Sequence, residues 1–249
     1  MSYSVAACRG GKETVAPVSL WTPIADVPTI LVTAGPTGHY TDDAGTALAG
    51  NGDTVKYSTN LADPTRPMLQ PTGALAYTLV LDGGKWYLRK AGAGKFAYVL
   101  APVALPQPFT VAMIFKAYAG GTGDKLLYRA GAGPCGGRFS EGGSPNTRFS
   151  VYGGSVIDGA APYYKAACLR CDIYNGASSS IVSNDDVLTG DAGSLGLYDG
   201  ATNLAIGADG AGGNAADLDL AVFAVYPFAF GAGHLANWRT LAGTYGVYP

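Results

Sequence analysis

Apolar and polar positions alternate in short runs that glycine interrupts, and their period is mostly that of a strand. In Phe109–Lys116, Phe109, Val111, Met113 and Phe115 fall on one face and Ile114 with two small residues on the other, which predicts a strand in a sheet interior. Leu218–Tyr226 is apolar on both faces and predicts a central strand with something packed over each side. Leu75–Leu81 runs into Asp82-Gly83-Gly84 and resumes at Lys85-Trp86-Tyr87-Leu88, the strongest hairpin signal in the chain. Lys125–Arg129, Arg148–Tyr152, Tyr163–Tyr174, Ser179–Ser183 and Asn203–Gly207 continue the series of strands. Trp21–Gly52 breaks into short bursts such as Ile30-Leu31-Val32 between turn residues.

One segment departs from that period. In Ala232–Tyr245, Leu235, Trp238, Leu241, Ala242 and Tyr245 fall at helical spacing, and Gly246 stands where a C-terminal cap belongs. No internal repeat of fixed period is present, so strands linked by short turns and closed by one helix predict an antiparallel jelly-roll β-sandwich. Met1–Leu20 shows no sustained periodicity and reads as an N-terminal arm or lead-in strand, with residues 21–249 as a single sandwich domain.

Composition narrows the functional classes. The 37 glycines and 15 prolines are hostile to long helices, while 48% apolar residues suffice for a sizeable core. A net charge of −2, built from 16 basic and 18 acidic residues without runs, offers no basic stripe for a phosphate backbone, so no nucleic-acid partner is expected. No apolar stretch reaches the roughly 20 residues needed to cross a bilayer, so no membrane partner is expected either. Met1–Lys12 lacks the apolar core of a secretory signal, and only seven residues precede Cys8 in the lipoprotein-like Val5-Ala6-Ala7-Cys8.

Candidate chemistry is sparse. Cys168 and Cys171 form a Cys-x-x-Cys, but Cys8 and Cys135 are isolated and the segment around the pair reads as a strand, so ordinary strand cysteines are the expectation. Only His39 and His234 exist; the first reads as part of a loop, the second opens the predicted helix, and no Gly-x-Ser-x-Gly elbow accompanies them. Gly131-Ala132-Gly133-Pro134-Cys135-Gly136 matches a dinucleotide fingerprint in letters only, since Pro134 and a return to strand after Arg138 make it a loop. Gly84-Lys85 and Gly94-Lys95 are followed by Trp86 and Phe96 where a phosphate loop needs Ser or Thr.

The strand and turn Leu79-Val80-Leu81-Asp82-Gly83-Gly84-Lys85-Trp86-Tyr87-Leu88, the strand Pro108–Phe115, and the closing series Leu204-Ala205-Ile206-Gly207, Asp217–Tyr226 and a helix ending Thr244-Tyr245-Gly246 resemble the concanavalin A-like lectin/glucanase superfamily. The likeness is to its laminin-G-like branch, common in phage virion proteins and secreted binding modules, and covers roughly Ile24–Tyr248. Glucanases of the superfamily carry paired glutamates, and this chain has only Glu13 and Glu141, so that machinery does not transfer. Calcium-binding members would need clustered oxygens; the acidic groups Asp42-Asp43, Asn184-Asp185-Asp186 and Asp217–Asp219 fit solvated turns better. No catalytic, cofactor-binding or metal residue is therefore assigned, and no enzyme is expected. The resemblance implies a virion structural protein, a capsid decoration or tail-associated module, assembled in the host cytoplasm without a signal peptide. Its expected partners are a capsid or tail lattice and further copies of itself, with a trimer as the analogue. The alternative is a carbohydrate-binding, lectin-like module for cell-surface glycans, its aromatic platforms drawn from 16 tyrosines and three tryptophans.

Overall fold

A computed structural model of the chain describes residues 27–70, 72–90, 97–99, 104–118, 123–130, 136–141, 147–152, 156–160, 166–197, 204–208 and 217–247. In chain order they form β1 (Ile30–Thr33), β2 (His39–Tyr40), β3 (Thr54–Val55), β4 (Tyr57–Ser58), β5 (Met68–Leu69), a 3-10 turn (Gly73–Leu75), β6 (Tyr77–Asp82), β7 (Lys85–Lys90) and β8 (Ala97–Val99). There follow β9 (Phe109–Ala117), β10 (Gly123–Ala130), β11 (Gly136–Glu141), β12 (Thr147–Tyr152), β13 (Val156–Ala160), β14 (Ala167–Tyr174), β15 (Ser179–Ser183), β16 (Asp186–Gly190), β17 (Leu204–Ile206), β18 (Leu218–Tyr226) and α1 (Ala232–Gly243). The arm expected over Met1–Leu20, Cys8, Lys95 and Cys135 lie outside the described residues.

The strands make two antiparallel sheets. The first runs β16-β15-β14-β9-β18-β7-β6-β3, and β1 also pairs with β18. The second runs β13-β12-β11-β10-β17-β8-β5-β4-β2. β18 serves two partners on one side: its first residues face β7, from Leu218↔Lys90 to Leu220↔Leu88, and its later ones face β1, from Val222↔Thr33 to Val225↔Ile30. A bulge between Leu220 and Val222 in its ladder with β9 shifts the alternation. Leu218, Leu220, Phe223 and Val225 therefore point between the sheets, and Ala221, Val222, Ala224 and Tyr226 point the other way.

Two cores result. Between the sheets, Phe109, Val111, Met113 and Phe115 of β9 meet Leu127, Tyr128, Val99, Leu204, Ile206 and Met68 of the second sheet. On the outer side of the first sheet, Ala112, Ile114, Leu169, Cys171, Val222, Ala224 and Tyr226 pack under α1 through Trp238 and Ala242. The helix thus supplies the cover that the two-faced apolar β18 demands. It ends in a Schellman arrangement: Gly246 takes φ 75, Gly246 N–H donates to Gly243 O at 3.0 Å and Val247 N–H to Ala242 O at 3.2 Å.

The expected hairpin is β6–β7, closed by Gly83 and Gly84 at φ 56 and 77, a backbone conformation that glycine adopts at no steric cost. Several boundaries differ from the sequence reading. Leu75 belongs to the 3-10 turn, so the strand starts at Tyr77; the strand expected from Tyr163 starts at Ala167; and the return after the glycine loop begins at Gly136, ahead of Arg138. His39 sits in β2 and not in a loop, because its ring is bonded from both sides within the sandwich. Asn184-Asp185 is the tight turn of a β15–β16 hairpin, with Asn184 at φ 51.

Candidate functional site

The outer faces of the two sheets differ. That of the first lies under α1 over its middle strands. On that of the second, among the described residues, lie the turn Gly73–Leu75, with Leu75 against Ala205 and Ala208, and the loop that sets Gly45 against the Tyr57 ring, but no α-helix.

Register builds a row across this second face. Tyr40 pairs with Tyr57, Tyr57 with Leu69, Leu69 with Tyr98, Tyr98 with Ala205, Ala205 with Arg129, Arg129 with Gly136, and Gly136 with Tyr152. Because side chains alternate along a strand, the burial of His39, Ser58, Met68, Leu204, Ile206 and Tyr128 on the inner side puts Tyr40, Tyr57, Leu69, Ala205 and Arg129 on the outer side. Tyr40, Tyr57, Leu69 and Arg129 are half-buried there. Strand spacing sets Tyr40 about 24 Å from Arg129 along the row, and Leu75 seated on Ala205 divides it. One part is aromatic and apolar; the other begins with a guanidinium.

The aromatic part is held tightly. The rings of Tyr40 and Tyr57 meet edge to face, with centroids 5.4 Å apart and planes at 85°. Gly45, at φ 72, lies on the Tyr57 ring so closely that an added Cβ would come within 3.1 Å of Cζ. Asp42 fixes that loop: its carboxylate accepts Thr46 N–H at 2.9 Å, Thr46 Oγ1–H at 2.7 Å and Ala47 N–H at 2.6 Å, bonds that hold its pKa at about 2. Of the Asp42-Asp43 pair, Asp42 is therefore a loop-forming residue.

Beneath the row, on the inner side, lie buried polar groups. His39 Nε2–H donates to Thr33 O at 3.0 Å, while Nδ1, 2.8 Å from Ser58 Oγ, accepts that hydroxyl. Burial pushes the His39 pKa down to about 4, only partly opposed by the Thr33 bond. Under Arg129, Tyr128 donates its hydroxyl to Asp172 Oδ2 at 2.6 Å, and Arg170 Nε–H donates to Asp172 Oδ1 at 2.7 Å. The Tyr174 hydroxyl lies 2.9 Å from that of Tyr128 and 3.1 Å from Gly136 O. Arg170 and Asp172 are fully buried, and this network ties β14 of the first sheet to β10 and β11 of the second. Burial pushes the Asp172 carboxyl up, against the pull of Arg170 and Tyr128. The sequence reading missed the pair, whose signal is two opposite charges two residues apart in the otherwise apolar run Ala167–Tyr174.

The other residues singled out from the sequence are dispersed. Cys168 faces the inter-sheet core and Cys171 the helix side, so three residues along a strand set the Cys-x-x-Cys thiols on opposite faces. His234 caps the helix by accepting Gly231 N–H at 3.1 Å on Nδ1 and stacks on Phe230. Asp219 takes Arg89 at 2.8 and 2.7 Å and Tyr118 at 2.6 Å, and Asp217 takes Lys90 at 3.3 Å, so these carboxylates are engaged in ion pairs.

No protein-family model matches the sequence, and no curated protein matches it. Solved structures do match in fold. The binding domain of Paraclostridial Mosquitocidal Protein 1 superposes with a TM-score of 0.57 at 13% identity, over 87% of this chain and 52% of that one. Trypanosoma rangeli sialidase in complex with 2,3-difluoro-KDN superposes with a TM-score of 0.54 at 12% identity, over 88% of this chain and 33% of that one. The chain therefore spans about half of the first protein's length and a third of the second's. The fold is an antiparallel jelly-roll β-sandwich closed by one short helix. The expected virion setting and capsid lattice find no counterpart among these neighbours.

Proposed function

We propose that this chain is a non-enzymatic carbohydrate-binding module whose ligand lies on the outer face of the second sheet. The observation that carries the reading is the register row: Tyr40, Tyr57, Leu69 and Arg129, far apart in sequence, fall on one line across the face that no described α-helix covers. Tyrosine offers an apolar ring for the C–H faces of a sugar and a hydroxyl for its oxygens, and arginine offers planar donors for hydroxyls or a carboxylate. The fold neighbours are compatible with this, since one is described as the binding domain of a mosquitocidal protein and the other is a sialidase in complex with 2,3-difluoro-KDN, of which the match covers a third.

A glycan array probed with the full chain, followed by calorimetry on the best class, tests the proposal. Reproducible binding to one sugar class is expected, with Tyr40→Ala and Arg129→Ala each weakening it by about tenfold or more. Binding to no class, or binding indifferent to both substitutions, overturns it. The virion role suggested by the sequence resemblance predicts the opposite pattern: no sugar on the array, and co-assembly with a capsid or tail protein. Turnover of a sialoside or β-glucan by the purified chain overturns the non-enzymatic part.

A further inference from the structure

The first sheet ends at β16, and among the described residues no strand pairs with its outward side. At five residues it is longer than the sheet's other end strand, β3, which has two. An open edge is a template for another chain, and proteins blunt such edges with charges, lysine above all, with proline or with a bulge. β16 reads Asp186-Val187-Leu188-Thr189-Gly190, with no lysine, proline or bulge, and its single charge, Asp186, stands at the turn end of the strand. Its ladder with β15 runs from Ser183↔Asp186 to Ser179↔Gly190 without a shift, and Val187 is 53% exposed.

Bond parity shows what fits this edge. The pair flanking a two-residue turn exchanges both of its N–H···O bonds, and bonded and non-bonded pairs alternate from there. Asp186, Leu188 and Gly190 therefore direct their backbone groups to β15, and Val187 and Thr189 direct theirs outward. A second β16 running antiparallel about a twofold axis at Leu188 sets Val187 of each copy against Thr189 of the other. Both are outward-bonding residues, so two pairs exchange about four hydrogen bonds in all. An axis at Val187 or Thr189 satisfies only one such pair. The Leu188 register also sets the strand's only charge, Asp186, opposite Gly190 and not opposite itself. Leu188 packs against the inter-sheet core, so the two copies of this side chain meet at the axis and carry that core across it.

We infer that a second copy of this chain pairs antiparallel along β16, with its twofold axis at Leu188, so that the first sheet continues through a dimer. This does not rest on the glycan reading, since β16 belongs to the other sheet.

Sedimentation velocity and light scattering on the full chain over a micromolar concentration series provide the test. A monomer–dimer equilibrium is expected, approaching twice 25.3 kDa. Val187→Pro removes one outward N–H per copy without touching a bond to β15, and should weaken dimerisation by about tenfold or more with an unchanged circular dichroism spectrum. Leu188→Cys should form a disulfide-linked dimer on mild oxidation, with peptide mapping placing the bridge between the two introduced cysteines, because directly opposed non-bonded pairs lie within disulfide reach. If Val187→Pro does not fold, the cross-link decides. A monomer throughout, a trimer, or a dimer without the 188–188 bridge overturns the inference.

Discussion

Acid should weaken this fold through His39 in a pH window that opens about two units above the ordinary carboxylate range. The ring is 2% exposed, donates to Thr33 on β1 of one sheet and accepts from Ser58 on β4 of the other, so it is held neutral between them. Its pKa is about 4 when folded and 6.5 as the ordinary value. Between these the unfolded chain binds a proton that the folded one refuses, so stability rises with pH there. The contribution is complete above about 6.5 and is lost as the pH falls toward 4; at full extent the linkage is worth about 3 kcal/mol. Urea unfolding of the parent and of His39→Asn at pH 7.5 and 4.5 reads it as a difference of differences, which cancels whatever the substitution itself costs. Asp42, held at about 2, titrates below this window and is common to both proteins. The parent should lose about 2 kcal/mol more than the variant over the interval. Parallel losses, or the signal assigned to His39 titrating near 6.5 in the folded protein by NMR, would refute the reasoning.

Three further outcomes follow from the packing. Burial pushes the Cys168 thiol up to about 12 and Cys171 well above the ordinary value, so neither should react with iodoacetamide at pH 8 until the chain unfolds; rapid labelling of either, read by peptide mapping, contradicts their placement. Gly137→Ala puts a Cβ against the Tyr128 ring and 2.6 Å from Asp172 Oδ2, and should cost more than about 2 kcal/mol, whereas Gly233→Ala, in open space on α1, should stabilise by about 0.5–1 kcal/mol. Arg170→Met strands a buried carboxylate and should cost about 3–5 kcal/mol in chemical unfolding, and Arg170→Met with Asp172→Leu should recover most of that loss.

What the sequence made legible was local. The hairpin at Gly83-Gly84, the strands Ser179–Ser183 and Leu218–Tyr226, and the helix with Gly246 beyond it each carry their signal within a dozen residues or fewer. β2 to β5 are two residues each, too short for any period to register. β16 carries no strand signal of its own because Asp186 and Gly190 at its ends are poor strand formers and leave only three residues between them, and pairing with β15 decides the matter. The candidate site is non-local in the strongest sense. Tyr40, Tyr57, Leu69 and Arg129 come from four strands, and nothing in the chain says that they share a row until the register is known.

The buried polar groups explain how such a row acts as a surface. In a strand, fixing the inward side chain fixes the backbone and therefore the direction of its outward neighbours. Tyr40 follows His39, Tyr57 precedes Ser58 and Arg129 follows Tyr128, and each of those three is bonded on the inner side. Apolar contacts alone would tolerate small slips of one sheet over the other, because they have no direction. The His39–Thr33 and Tyr128–Asp172 bonds link the two sheets at particular atoms. A buried ion pair such as Arg170–Asp172 is weak evidence for stability, since a well-packed apolar pair often does as well. What it adds is position: it aims Asp172 at Tyr128, and Tyr128 anchors the strand that carries Arg129 outward. A ligand meeting side chains already held in place pays less ordering entropy on binding. Replacing the charged pair by apolar residues should therefore leave the sandwich standing while loosening the part of the row that begins at Arg129, which separates the role of the network in positioning from any role in folding.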